Sequence, residues 1–444
     1  MNPPRDAGVL ALLRGRSGLA AVVQTGIATV LVLGINVVTG IISARLLGAQ
    51  GRGELSALLL APQFLGFLFT FGLPAATIVK IRSAPEDAAG IMGASLLLSA
   101  LAGVLAATSG ILALPLVMHQ YSAQVVTEAR WLVLLVTTGV TGTVLMAGLQ
   151  VQDHFRGYNH LRFWQSAVTL AALCVLALTH AFTPVTGALA YLLPAVPFFA
   201  WNLYWVWREF RPRLGGWRGY SRTLLSYGWR VHFMDIGNTM FGQLDKLILV
   251  SLLAPAVFGV YVVVFNLSRL ITTFANSAIP VLLPRSAGKS ADEVLALTSR
   301  ALTATLALTL AAVAGFVVFG GLGLRWLYGA PFAAGYPVLV ILAAEAALAG
   351  AATVLQQPYI ALHRPGTVAL FHALSLAVAA VLVYALARAF GAEGAACGLL
   401  LATALRCILT YHGFHWLLRI GAPRLLPTRA ELAGLLNRLR TSLA

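Results

Sequence analysis

Apolar runs of roughly twenty residues follow one another from Leu19 to Leu418 with no long polar interruption. About 20 consecutive apolar residues are what a helix needs to cross the ~30 Å hydrocarbon of a bilayer. Once there, the backbone must satisfy its own hydrogen bonds, which a helix does within one segment. The pattern therefore predicts an all-α polytopic membrane protein of about twelve transmembrane helices. The first six fall at 19–46, 55–80, 88–117, 124–150, 161–183 and 186–207. The second six fall at 226–252, 256–284, 294–320, 335–361, 367–388 and 394–418.

Composition agrees. Only 10% of the 444 residues are charged, against roughly 25% in a soluble domain. Little remains outside the spans, which leaves no room for a soluble enzyme domain. The net charge of +16 would suit nucleic acid if it were gathered in one patch, but the arginines stand at the ends of apolar runs. Of the 30 Lys and Arg, 22 fall on the side of the N-terminus, five opposite and three within spans (Lys246, Arg269, Arg406). That bias predicts cytoplasmic termini and residence in the inner membrane. An even number of spans demands the same placement. Arg14 and Arg16 resemble the start of a signal peptide, yet the run from Gly18 to Ala44 far exceeds an h-region of ~7–15 residues, so it is read as an uncleaved first helix. Cys174, Cys397 and Cys407 lie in apolar segments without metal-ligand spacing, so neither a disulfide framework nor a metal site is expected. No Walker-type motif occurs.

An internal repeat organises the spans. LLGAQGRGELSALLL from Leu46 aligns without a gap on LLAPAVFGVYVVVFN from Leu252, an offset of 206 residues. The same register pairs Gly53 with Gly259, Pro74 with Pro280, and Leu149-Gln150 with Leu355-Gln356. Six spans per half make such a repeat parallel, about an axis along the membrane normal. The expected organisation is a cytoplasmic tail (1–18), an N-lobe (19–207), a basic interfacial linker (208–225), a C-lobe (226–418) and a basic amphipathic tail (419–444), with a central cavity between the lobes.

Ionisable groups within a membrane are costly and are default functional candidates. On the seventh span His232, Asp235, Asn238, Gly242, Asp245 and Lys246 recur at helical spacing. On the eighth, Asn266, Arg269, Thr273, Asn276 and Pro280 do so. Asn36 belongs to a polar line on the first span, and Gln63, Thr70 and Pro74 to one on the second. In the repeat register Gln63 matches Arg269 and Thr70 matches Asn276, so two matching polar faces are expected to line the cavity. Two readings stand for several residues. Asp245 and Lys246 line the cavity or snorkel to the interface; Arg230 and His232 act there or set topology. Asp235 and Arg269 serve the cavity or form a structural ion pair, and Glu345 is an ion site or a helix seal. Pro74 and Pro280 are candidate hinges.

The segment GIISARLLGAQGRGELSALLLAPQFLGFLFTFGLPAA, with its LLGAQGRGE and Phe71-Gly72-Leu73-Pro74, resembles the first helical pair of polysaccharide-export flippases. These belong to the multidrug/oligosaccharidyl-lipid/polysaccharide exporter superfamily. Leu55 stands where an aromatic is common there. The second copy fits through Asp245, Gly259 and Tyr261. The resemblance implies a MATE-like fold, alternating access without ATP, and no enzymatic activity. It implies a polyprenyl-pyrophosphate-linked oligosaccharide as substrate, and work beside polysaccharide polymerase and export machinery. Cofactors are not implied, beyond coupling to an H+ or Na+ gradient or the membrane potential. Arg269 and Lys246 would then meet the pyrophosphate, for which cationic donors are needed in a low dielectric. Arg230 and Arg52 would attract it at the two mouths, while Asn276, Gln63 and Asn36 would line the path. Asp235, Glu345 or Asp245 would carry the coupling ion. The twelve-span count argues against the fourteen-span peptidoglycan-precursor flippases. The rivals are a cation-coupled drug or metabolite antiporter of the same fold, which would favour an acidic cavity, and a membrane-embedded glycosyltransferase or ligase, which would need a large outer loop.

Overall fold

The computed structural model describes residues 18–152, 155–273, 275, 289–362 and 364–424. Fourteen α-helices carry them. They are α1 (Gly18–Leu68), α2 (Leu73–Ser83), α3 (Ala88–Val117), α4 (Ala123–Val133), α5 (Val136–Val151), α6 (Phe155–Leu178) and α7 (Pro184–Leu192). Then follow α8 (Ala195–Phe210), α9 (Trp217–Phe241), α10 (Leu244–Leu252), α11 (Pro255–Ser268), α12 (Ala291–Gly323), α13 (Tyr336–Ala361) and α14 (Pro365–Trp416). Among the described residues, seven helical stretches are long and apolar enough to cross a membrane, and Phe163–Leu178 and Pro255–Ser268 are shorter apolar helices.

Two of the seven are pairs of spans. Thr29–Ser83 has 55 residues, about 80 Å of helix at 1.5 Å per residue. It turns at Gly48, whose φ of 65° and ψ of −173° are not helical. Gly391 (φ 60°, ψ −137°) divides α14 in the same way. A side chain would be strained in that left-handed region, so glycine lets one span reverse into the next without a loop. The seventh span, α9 with α10, is too polar to qualify by hydropathy but occupies the place the repeat assigns it. All twelve spans are thereby accounted for, the eighth only up to Ser268 as continuous helix.

Large side chains such as Leu112, Leu116 and Leu178 stand 70–81% exposed, which suits acyl chains and not water. Trp131, Trp164, Trp201 and Trp416 are exposed too, as in the aromatic belts of membrane proteins. Between helices, small residues do the packing. Ala102, Ala106 and Ala107 of α3 close against Val136 and Val140 of α5.

The chain forms two compact units, one from Met1–Ile236 with Ala254–Gly259, the other from Gly237–Leu253 with Val260–Ala444. The core of the first is built on Leu73, Met92, Val144, Leu145 and Val206. The linker is docked there rather than lying loose. Arg213 N–H donates to the Ala89 carbonyl at 3.0 Å, and the Tyr220 hydroxyl donates to Asp87 Oδ1 at 2.8 Å. From Trp217 it is already helix and runs on into the seventh span, so the boundary expected at 226 lies within α9. The core of the second unit gathers Leu302, Val354, Leu355, Phe371 and Phe414 around Tyr359, whose hydroxyl donates to the Thr410 carbonyl at 2.7 Å.

Within the first unit the repeat meets itself. A Cβ on Gly53 would collide with the Pro255 carbonyl oxygen, and one on Gly259 with the Ala49 carbonyl oxygen. In the 206 register Ala49 matches Pro255 and Gly53 matches Gly259.

Candidate functional site

The second unit holds a chain of buried polar groups. It starts where the seventh span breaks between Phe241 and Leu244. The break places Asp245 in the first turn of α10, where a carboxylate is favoured by the helix dipole. Asp245 is fully buried; its Oδ2 accepts a 2.6 Å hydrogen bond from Tyr261, and its Oδ1 has no partner.

Tyr261, Phe265 and Arg269 stand four residues apart and share one helical face. Tyr261 stacks on Phe265 with ring centroids 6.1 Å apart. Two cations address the Phe265 ring: Lys246 Nζ at 4.2 Å and the Arg269 guanidinium at 4.3 Å from its centroid. Both are within the ~6 Å reach of a cation–π contact. Lys246 also donates to Gln243 Oε1 at 3.0 Å.

Arg269 Nη2 then bridges to Glu345 Oε2 at 2.6 Å, the carboxylate wholly buried and the arginine side chain 26% exposed. Thr403 donates to the other oxygen, Oε1, at 2.8 Å. Arg406 is buried and within electrostatic reach of both Glu345 and Arg269. A lone carboxylate in this setting would be prohibitive, and the arginine offsets it. With all five groups ionised, Lys246, Arg269 and Arg406 outnumber Asp245 and Glu345 by one charge. Glu345 occupies one edge of the Arg269 guanidinium, and the part-exposed remainder can receive another anion.

Of the adjacent pair, Asp245 is sealed and Lys246 half-buried. The single polar stripe expected on the seventh span is divided by the break. His232 belongs to the first unit, where its Nε2–H donates to the Leu68 carbonyl at 2.9 Å. Leu68 ends α1, so this bond satisfies an acceptor that the interrupted second span leaves over. The interruption is the turn at 69–72; Pro74 follows in the first turn of α2 and opens that helix rather than kinking one.

The other expected residues belong to the first unit or lie outside the described ones. Arg52 is buried in the first unit, and Asn36, Gln63 and Arg230 are exposed. Asp235 lies on α9 with its side chain outside the described residues, as are Asn276 and Pro280. Sequence reasoning passed over Phe265, Gln243 and Thr403. Phe265 had a signal, four residues before an intramembrane arginine; Thr403, in an unbroken apolar run, had none.

The family model described as "Polysaccharide biosynthesis protein" matches residues 19–290. The chain belongs to that family. Among relatives of the polysaccharide biosynthesis family, the probable low-salt glycan biosynthesis flippase Agl15 of Haloferax volcanii is 24% identical over 196 residues. That match takes in 43% of this chain and 42% of the relative, so less than half of the curated relative's length is spanned. Among solved structures, lipid II flippase MurJ in an inward closed conformation gives a TM-score of 0.74 at 14% identity, over 88% of this chain and 87% of that one. An inward-facing multidrug resistance MATE family transporter of the MOP superfamily gives 0.66 at 18%, over 89% and 97%. These likenesses establish the fold, that of an all-α multi-pass membrane protein.

Proposed function

We propose that the protein flips a polyprenyl-pyrophosphate-linked oligosaccharide from the cytoplasmic to the outer leaflet by alternating access, for cell-surface polysaccharide synthesis. It would sit in the inner membrane with both termini cytoplasmic, as the 22-to-5 charge bias requires. The single observation that carries the reading is the part-exposed Arg269, held by the buried Glu345 and paired over Phe265 with Lys246. Two adjacent cations in a low dielectric suit a diphosphate, which Arg binds bidentately. Agl15 and MurJ are both named as flippases. No nucleotide is required; the membrane potential supplies ~2.3 kcal/mol per charge per 100 mV, and Glu345, Asp245 or Asp235 would carry a coupling H+ or Na+. Polysaccharide polymerase and export machinery would take the product.

The test is transbilayer movement of a labelled polyprenyl-diphosphate oligosaccharide in proteoliposomes. Wild type should accelerate it, and Arg269→Ala and Lys246→Ala should each reduce it at least tenfold. Full activity of Arg269→Ala would remove the leading phosphate contact. The buried carboxylates Asp245 and Glu345 are what a cation-coupled antiporter would use. Uptake of an organic cation by the same vesicles, without lipid movement, would decide for that reading.

A further inference from the structure

The first two-thirds of α9 belong to the first unit and turn one face into it. Ser221, Leu224, Gly228 and His232 are buried; Leu224 joins the core of Leu73 and Met92, and a Cβ on Gly228 would collide with the Phe71 carbonyl oxygen. Another face is exposed. Arg218, Arg222, Leu225, Trp229 and Phe233 stand open at spacings of four, three, four and four, which sets them on one stripe. Arg230 lies off it, about 100° round the helix from Trp229.

The order along the stripe sets its chemistry. Two arginines come first, then three large apolar side chains, of which Trp229 is 54% and Phe233 65% exposed with ring centroids 6.3 Å apart. Arg222 to Phe233 spans about 16 Å of helix, close to the ~15 Å of hydrocarbon in one leaflet. The cationic end is held in place. A Cβ on Gly93 would collide with the Arg213 carbonyl oxygen, and one on Gly90 with the Tyr220 ring, so two glycines let the linker lie directly against α3. Between positions 208 and 233 the chain has six arginines and one acidic residue, Glu209. The nearby Asp87 accepts the Tyr220 hydroxyl. Water alone would leave the apolar end uncovered, and acyl chains alone would leave the arginines without an anion. A molecule with an anionic head and an apolar chain one leaflet long suits both ends.

We infer that this face binds an anionic phospholipid of the cytoplasmic leaflet, its phosphate on Arg218 and Arg222 and an acyl chain along Leu225, Trp229 and Phe233. Guanidinium groups suit phosphate oxygens, and the length of the apolar stripe suits a chain that ends within its own leaflet. The experiment uses the full chain in neutral detergent, with lipid binding titrated by native mass spectrometry. The probes are phosphatidylglycerol, phosphatidylcholine with the same acyl chains, undecaprenyl phosphate and inorganic phosphate. Wild type should bind phosphatidylglycerol more tightly than phosphatidylcholine. Arg218→Gln with Arg222→Gln should lower the phosphatidylglycerol affinity by about tenfold and leave phosphatidylcholine unchanged. Arg130→Gln with Arg325→Gln removes two exposed arginines elsewhere and should alter neither. Trp229→Ala should weaken phosphatidylglycerol severalfold; should the double arginine variant fail to fold, it decides alone. Equal affinity of wild type for the two phospholipids, an equal fall in the control pair, or full affinity in Trp229→Ala would overturn the inference. So would displacement of the lipid by millimolar inorganic phosphate. Tighter binding of undecaprenyl phosphate, lost in the same double variant, would give the face to the carrier lipid instead and overturn it too.

Discussion

Gly53 and Gly259 meet backbone to backbone, and each leaves no room for a Cβ against the carbonyl of the residue matching the other's neighbour, Pro255 and Ala49. A contact in which i touches j′ and i′ touches j is what a local twofold axis produces. The tips of the two repeats are related in this way, which turns a weak sequence match at 206 residues into a geometric one.

Gly53→Val and Gly259→Val should each destabilise the protein by about 2–4 kcal/mol, since the obstruction is backbone and cannot rotate away. Gly40→Ala, where a Cβ meets nothing within 4 Å, should leave thermal unfolding in detergent unchanged. An unaltered Tm in both valine variants would mean the contact is dispensable.

Arg269 and Glu345 separate a structural pair from a working one. Arg269→Ala strands a buried carboxylate at a cost of about 3–5 kcal/mol. Adding Glu345→Gln should restore most of the Tm but none of the lipid movement. Recovery of both together would mean that the arginine serves only to neutralise its partner.

Tyr261→Phe removes the hydrogen bond to Asp245 and leaves both carboxylate oxygens unpaired. A loss of about 1–3 kcal/mol is expected, measured by chemical or thermal unfolding. Tyr261→Phe combined with Asp245→Leu should lose less than the two changes added.

The hydrogen bond to Asp87, followed by smaller contributions from burial and the Asp87 charge, holds the Tyr220 phenol above its ordinary value of 10.0. The folded form thus prefers the neutral phenol. The stabilisation is complete below pH 10 and is lost as pH rises through the elevated value. Proteolysis of the 211–220 linker should therefore increase on alkaline titration in wild type. In Tyr220→Phe that step should be absent; a step of equal size in the variant would count against the Tyr220–Asp87 contact.

The fold was legible because helix length in a bilayer is set by hydrocarbon thickness, which the apolar runs record directly. The site was legible only in part. Arg269, Glu345, Asp245 and Lys246 declared themselves as charges in apolar surroundings, but their partners depend on a helix break that spacing does not encode. A continuous seventh span would have put His232 and Asp245 on one stripe; the break between Phe241 and Leu244 divides it.

Phe265 has one last implication. A carboxylate between Lys246 and Arg269 would gather them equally well, yet it would cancel one of them and would itself gain or lose a proton with the surroundings. An aromatic ring attracts both through its quadrupole without discharging either. Phe265 therefore brings Lys246 and Arg269 to one ring while adding no titratable group of its own between them.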